Sequence, residues 1–245
     1  MPTADFDYRA GAFNQYISAG FGEHTTANFE SVSRHYAFNY LRFLPQDRNA
    51  PILEIGCGMG HFLFFLKEQG YTNVVGLDVG KEQVEYTNSL LGAEKALLVD
   101  STENFLANGG RYSSIVMLNV IEHVRKDKII PLLQQIHDAL SDGGILIVKT
   151  DNVGCVTGTF NRYFDFTHEI GFVESSLKQV LHIAGFRKTS FVEEQIPPPY
   201  SNKTRLWLVL VRLYRQALRL AYEFERRGNT MPTIWGKDLT AISWK

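Results

Sequence analysis

Five short apolar runs, each continuous instead of alternating, are separated by amphipathic stretches across residues 51–150, and this pattern limits the possible folds more than any other feature. The runs are Ile52-Leu53-Glu54-Ile55, Val74-Val75-Gly76-Leu77, Ala96-Leu97-Leu98-Val99, Ser114-Ile115-Val116-Met117-Leu118 and Ile145-Leu146-Ile147-Val148. A strand with one wet face alternates apolar and polar residues, so continuous runs imply burial on both faces. That requires helices above and below a mostly parallel sheet, joined by right-handed crossovers. The expected fold is a doubly wound α/β sheet. At 44% apolar residues in a chain of 245, there is enough apolar surface for such a core.

The flanks divide the chain into a helical cap over 1–50 and a second unit over 51–245, with a helical insertion at 200–230 before the last strand. Phe29, Val32, Tyr36, Tyr40 and Phe43 recur at helical spacing, which predicts a helix over 27–44. Ser141-Asp142-Gly143-Gly144 reads as a turn that closes a helix ending near Leu140. A loop follows over 151–171, then a helix over 174–184 stopped by Gly185, and a strand over 186–192. Pro197-Pro198-Pro199 forbids regular structure, 203–227 is a long basic amphipathic helix, and 238–244 is a last strand. Arg205, Arg212, Arg215, Arg219 and Arg226 fall on one stripe of that helix. The stripe fits attachment to an anionic membrane, but the reading preferred from sequence is a solvated face over a helix packed on the core or on a second copy in a homodimer.

Charge and cysteine usage narrow the partners. Lys+Arg 25 against Asp+Glu 26 leaves a net charge of -1, without the positive field of a protein that grips nucleic acid through phosphates. Two cysteines, Cys57 and Cys155, form no disulfide framework and match no zinc spacing, so a cytoplasmic setting is expected. The start Met1-Pro2-Thr3-Ala4-Asp5 lacks the basic and apolar regions of a signal peptide, and the apolar run 206–211 between Arg205 and Arg212 is far too short to span a bilayer.

Glu54-Ile55-Gly56-Cys57-Gly58-Met59-Gly60 stands where the first strand turns into a helix. Glycines there let the backbone approach a ligand, and a helix N-terminus offers free N–H groups. A dinucleotide fingerprint places its third small residue three positions after the second glycine, whereas here Gly60 follows Gly58 by two and position 61 is His61. The E-x-G-x-G-x-G pattern resembles the first motif of class I S-adenosylmethionine-dependent methyltransferases. Asp78, closing Val75-Gly76-Leu77-Asp78, lies 22 residues past Gly56, and Asp100 closes the third run. The run from Ser114 to Val124 looks like the family's fourth motif.

The resemblance covers about residues 51–192 and implies a Rossmann-like fold and S-adenosylmethionine as cofactor. It implies cofactor contacts from Glu54, Gly56, Cys57, Gly58 and Gly60 in the loop, and from Asp78 with Val79 at the ribose. Asp100 with Ser101 would hold the adenine, and Asn119 would lie beside the transferable methyl. Cys57 has no base at a recognisable spacing and is structural. Thr167-His168, with Phe172, Leu177 and Ala184-Gly185-Phe186, resembles a bacterial group that includes the ubiquinone-biosynthesis O-methyltransferase and enzymes acting on sugars of surface polysaccharides. The activity implied is O-methylation of a small-molecule hydroxyl, a sugar of a surface glycan or its precursor. N-methylation of an amino sugar, or a scaffold that binds cofactor without turnover, are the alternatives.

An oxygen acceptor must lose a proton, and two histidines compete for the role of base, His168 in the loop after the fifth strand and His123 after the fourth. The quinone enzymes resembled here carry Glu-x-x-Glu-His, which can hold a divalent cation. This chain has Asn119-x-x-Glu122-His123, and loss of one carboxylate weakens a hard-cation site, so no metal is assigned. Tyr8, Phe13, Tyr16, Phe21 and Tyr36 of the cap are expected to cover the cofactor or part of the acceptor pocket.

Overall fold

The structure, a computed structural model, describes Phe13 and residues 26–107, 109–226 and 231–245. Its centre is a seven-stranded sheet in the order β3-β2-β1-β4-β5-β7-β6. The strands are β1 (Ile52–Ile55), β2 (Val74–Asp78), β3 (Ala96–Leu98), β4 (Tyr112–Leu118), β5 (Leu140–Asp151), β6 (Lys188–Val192) and β7 (Asp238–Trp244). The first five pair in parallel, and β7 runs antiparallel between β5 and β6. The helices are α1 (Thr26–Tyr40), α2 (His61–Glu68), α3 (Lys81–Leu91), α4 (Thr102–Ala107), α5 (Lys126–Ala139), α6 (Gly158–Tyr163), α7 (Glu174–Ile183) and α8 (Asn202–Arg226).

Two apolar layers explain why the central runs do not alternate. Leu53, Ile115, Met117, Leu146 and Val148 point into one layer, against Ile129, Leu132, Leu133 and Ile136 of α5 and Leu177 and Leu181 of α7. Their strand neighbours Ile52, Val116, Ile145 and Ile147 point into the other, against Tyr40 of α1 and Phe62, Phe65 and Leu66 of α2. Each successive side chain is therefore buried on one side or the other. Tyr36 of the cap meets Tyr40, Phe62 and Phe65 ring to ring, so it packs α1 to α2. Tyr8, Tyr16 and Phe21 lie outside the described residues.

Four differences from the sequence expectations have local causes. The helix expected over 27–44 stops at Tyr40 and tightens into a 3-10 turn at Leu41–Phe43, with Leu44 N–H donating to the Leu41 carbonyl. Ser141-Asp142-Gly143-Gly144 is not a turn outside the sheet. The β4–β5 ladder slips between the pairs Tyr112↔Leu140 and Ser114↔Ile145, and these residues bulge inside β5 with Gly143 at φ 73°. The loop expected over 151–171 contains α6, too short to show a period of its own. Finally, α8 has no buried side chain and meets the body along half-buried positions, where the preferred sequence reading had it packed on the core or on a second copy.

Candidate active site

All the candidate residues gather at the C-terminal edge of the parallel strands. The β1 loop is held there by two amides, Gly56 and Cys57, that both donate to the Leu77 carbonyl of β2 at 2.8 and 2.9 Å. Gly56, Gly58 and Gly60 have φ of 68°, 51° and 78°, the left-handed region that only glycine enters at little cost. Two of them are also packing positions. A Cβ on Gly56 would lie 2.3 Å from Val120 Cγ2, and one on Gly60 would lie 2.7 Å from Thr87 Cγ2, whereas Gly58 opens onto free space. Cys57 is 5% exposed, burial pushes its thiol up, and its side chain abuts Gly76 of β2. Its side chain packs between the loop and β2.

Asp78 sets the far wall. Its Oδ2 accepts from Gly58 N–H and its Oδ1 from Gly80 N–H, each at 2.8 Å, which fixes the carboxylate and leaves lone pairs for ribose hydroxyls. Burial raises its pKa even so. Val79 beside it is 39% exposed and offers an apolar surface. Asp100 and Ser101, with Val99, Asn104, Phe105 and Gly109, line a cavity of about 340 Å³. Ser101 Oγ accepts from Asn104 N–H at 3.1 Å, so it also caps α4. Glu54 is 3% exposed, burial and then Asp78 push its pKa well above the usual carboxylate range, and its Oε2 has no hydrogen-bond partner among the described residues. A buried, unpaired acceptor beside an open glycine backbone fits a ligand that brings donors, as the amino acid end of S-adenosylmethionine does. Thr87, fully buried, donates to the Gly58 carbonyl at 2.9 Å and shapes the loop from α3, a role without any sequence signal.

Beyond β4, Asn119 has φ 55° and its Nδ2 donates to Glu122 Oε1 at 3.2 Å. Ile121–His123 forms a 3-10 turn, and the Glu122 carbonyl accepts from the amides of Glu169 and Ile170 at 2.7 and 3.2 Å. Those two bonds draw the loop after α6 onto the turn. They bring His168 to His123, with ring centroids 4.7 Å apart at 64°. The two histidines are a pair, where the sequence had them as competitors. Phe13 stands edge-on to His123 with centroids 5.8 Å apart, and Gln83 Nε2 donates to its carbonyl at 3.3 Å, so the cap reaches the candidate site at this position.

Hydrogen bonds orient both imidazoles. Thr167 Oγ1 donates to Asp165 Oδ1 at 2.7 Å, so it is an acceptor for His123 Nδ1–H at 2.8 Å. His168 Nδ1 lies 3.0 Å from the Asn161 carbonyl, which can only accept. Each ring therefore holds its proton on Nδ1 and presents the Nε2 lone pair. Burial first, and then the charge of His168, lowers His123 to about 4, which keeps it neutral near pH 7. Burial raises Asp165, but the Thr167 hydroxyl and amide and the two histidines more than offset this and hold it below its ordinary value. Burial raises Glu122 to about 7. One ligand atom from each of Glu122, His123 and His168 falls within 4.8 Å of the others, a set of one oxygen and two nitrogens suited to a divalent metal. The local pattern Asn119-x-x-Glu122-His123 carries no sign of His168, 45 residues on.

Sheet order, glycine loop and the acids at the ends of β2 and β3 together define a class I S-adenosylmethionine-dependent methyltransferase fold. Residues 29–190 match the family described as "Methyltransferase domain", and the chain belongs to that family. Among curated proteins it is similar to the sphingolipid C9-methyltransferase of Candida albicans, 29% identical over 108 residues, which are 40% of this chain and 21% of that protein. The chain thus spans about a fifth of the length of that relative. Among solved structures it is similar to a SAM-dependent methyltransferase from Archaeoglobus fulgidus, with a TM-score of 0.65 at 19% identity, covering 98% of this chain and 100% of that one. It is also similar to the plantazolicin methyltransferase BpumL in complex with SAH, with a TM-score of 0.55 at 18% identity over 97% of this chain and 95% of that one. At these identities the structural likeness establishes the fold. Among the described residues no helix is long and apolar enough to cross a membrane.

Proposed function

We propose that the chain is an O-methyltransferase that moves the methyl group of S-adenosylmethionine to a hydroxyl of a small-molecule acceptor, a sugar of a surface glycan or its precursor. The observation that carries the reading is His168, buried beside His123 with its Nδ1 committed to the Asn161 carbonyl and its Nε2 left as a base. S-adenosylmethionine supplies an electrophilic methyl on a sulfonium. The loop from Glu54 to Gly60, with Asp78, Val79, Asp100 and Ser101, binds and orients the cofactor, and Asn119 borders its reactive end. His168 takes the hydroxyl proton, and His123, neutral and tied to Thr167, holds the acceptor oxygen's neighbourhood free of positive charge. Phe13 excludes water on one side. The sugar acceptor rests on the likeness of the Thr167-His168 segment to the bacterial group acting on surface polysaccharides. His168→Ala should lower kcat by about 10²–10⁴-fold, with affinity for S-adenosylhomocysteine unchanged. Near-normal turnover in that variant would reject the base and favour an amine acceptor.

A second reading has a specific observation behind it, the approach of Glu122, His123 and His168 to within 4.8 Å. With a divalent cation there, these three residues would be its ligands, and the metal would polarise the acceptor oxygen. Loss of activity on dialysis against a chelator, restored by added divalent metal, supports this reading. Unchanged activity leaves His168 as the base.

A further inference from the structure

Helix α8 carries an apolar face that the described chain leaves unpartnered. Its half-buried positions are Thr204, Leu208, Val211, Arg215, Leu218 and Tyr222, spaced four and three apart, and they form the seam toward the body. Along that seam Arg215 pairs with Glu193 at 3.0 Å, and the Tyr222 ring meets Trp235 edge-on at 5.2 Å. Leu206, Leu210, Leu213, Ala217, Leu220 and Phe224 lie on the opposite side, with Leu206 62%, Leu220 61% and Phe224 88% exposed. From the first to the last, this face runs about 27 Å at 1.5 Å per residue. Arg205, Arg212 and Arg219 follow one edge of it. The helix holds six basic side chains and two acidic ones, a net of +4 in a chain whose total is -1, so the remainder carries -5.

Topology places the start of α8 at the edge of the sheet where the site lies. The connection leaves β6 at Val192 and returns at Asp238, which pairs with Asp151 at the end of β5. Helix α8 therefore departs from the same edge of the sheet as Gly56, Asp78 and Asn119. A second apolar group, Val156, Phe160, Tyr163, Phe164 and Phe166, is exposed on the segment that leads to His168 at that edge.

We infer that α8 is an interfacial helix that docks the protein on an anionic lipid bilayer, with its apolar face in the acyl boundary and its arginine row among the headgroups. Charge complementarity selects this occupant. A second copy packed helix to helix would bring another +4 against the first, whereas an anionic leaflet matches the charge and the apolar face together. This inference concerns a binding surface and holds whatever the acceptor is.

The test is sedimentation of the full chain with phosphatidylcholine vesicles, with and without phosphatidylglycerol. The chain should sediment with the anionic vesicles, less so as salt rises, and Trp207, 51% exposed on α8, should be quenched by brominated acyl chains. Leu213→Glu combined with Leu220→Glu should abolish binding. Arg205→Gln with Arg212→Gln should weaken it about 30-fold, at about fivefold per charge. All four positions are exposed, and unchanged melting and S-adenosylhomocysteine binding verify that the variants are folded. No vesicle binding by the native chain, or equal binding by the variants, overturns the inference. So does light scattering that finds a native dimer converted to monomer by the leucine substitutions without any vesicle binding, since α8 would then be an interface between copies.

Discussion

Replacing Glu122 by glutamine should stabilise the protein at alkaline pH and leave it nearly unchanged in acid. Glu122 is 2% exposed, its Oε1 takes one bond from Asn119, and its Oε2, with the Thr150 hydroxyl nearby, makes no hydrogen bond of good geometry among the described residues. Burial raises its pKa from an ordinary 4.5 to about 7. A carboxyl whose pKa is higher in the folded state binds its proton more tightly there than in the unfolded chain. Its favourable contribution is complete below about pH 4.5 and is lost as pH rises through about 7. The shift corresponds to about 3 kcal/mol, or a Tm difference of roughly 6–12 °C for a chain of this size. Glutamine has nothing to ionise and escapes that loss. Burial also raises Glu54 and Asp78, but their slopes are shared by both proteins and cancel in the difference. Calorimetric melting of chelator-treated native and Glu122→Gln protein at about pH 4.5 and about pH 8.5 measures the difference directly. Parallel melting curves across that range would mean that the buried carboxylate is not strained by its charge, and the reasoning would fail.

Three further outcomes are expected. Asp78→Ala should weaken S-adenosylhomocysteine binding by about 1.5–3 kcal/mol in calorimetric titration, since bonds to a charged acceptor are lost both to ligand and to the Gly58 amide. Gly56→Ala should destabilise the fold by about 2–5 kcal/mol in denaturant unfolding, from its φ of 68° and the collision with Val120, and adding Val120→Ala should recover only the collision part. Thr167→Val removes the hydroxyl that orients His123 and should lower kcat about 10–100-fold while cofactor affinity stays the same; unaltered kcat would show that His123 needs no such orientation.

The parallel core could be read in advance because burial on both faces writes itself into consecutive residues, as Ile145 to Val148 illustrate with alternate side chains in the two layers. Asp78 was equally readable, since a strand end and a fixed distance from Gly56 place it. Pairing between His123 and His168 was not, because it depends on amides of Glu169 and Ile170 reaching the Glu122 carbonyl, and main-chain bonds carry no residue code. Thr87 and Gln83 carry no sequence signal for a related reason: on α3 they occupy inward positions that helical spacing assigns to the core, yet they bond to Gly58 and Phe13. The residues of α8 announced an amphipathic helix, but helical periodicity says which side chains share a face and nothing about which face meets the body.

The position of β7 bears on how the protein is made. Among the described residues β6 has no neighbour in the sheet except β7, and 46 positions separate Val192 from Asp238. At about 5–20 residues per second, a translating ribosome takes roughly 2–9 s to deliver the strand on which β6 must pair. Through that interval β5 presents an open edge and β6 a strand with no ladder, which are the features that invite pairing between nascent chains. The sheet closes only by insertion of a later strand between two earlier ones, so substitutions in Leu239–Ile242 should act on yield during synthesis more strongly than their effect on the finished fold would suggest.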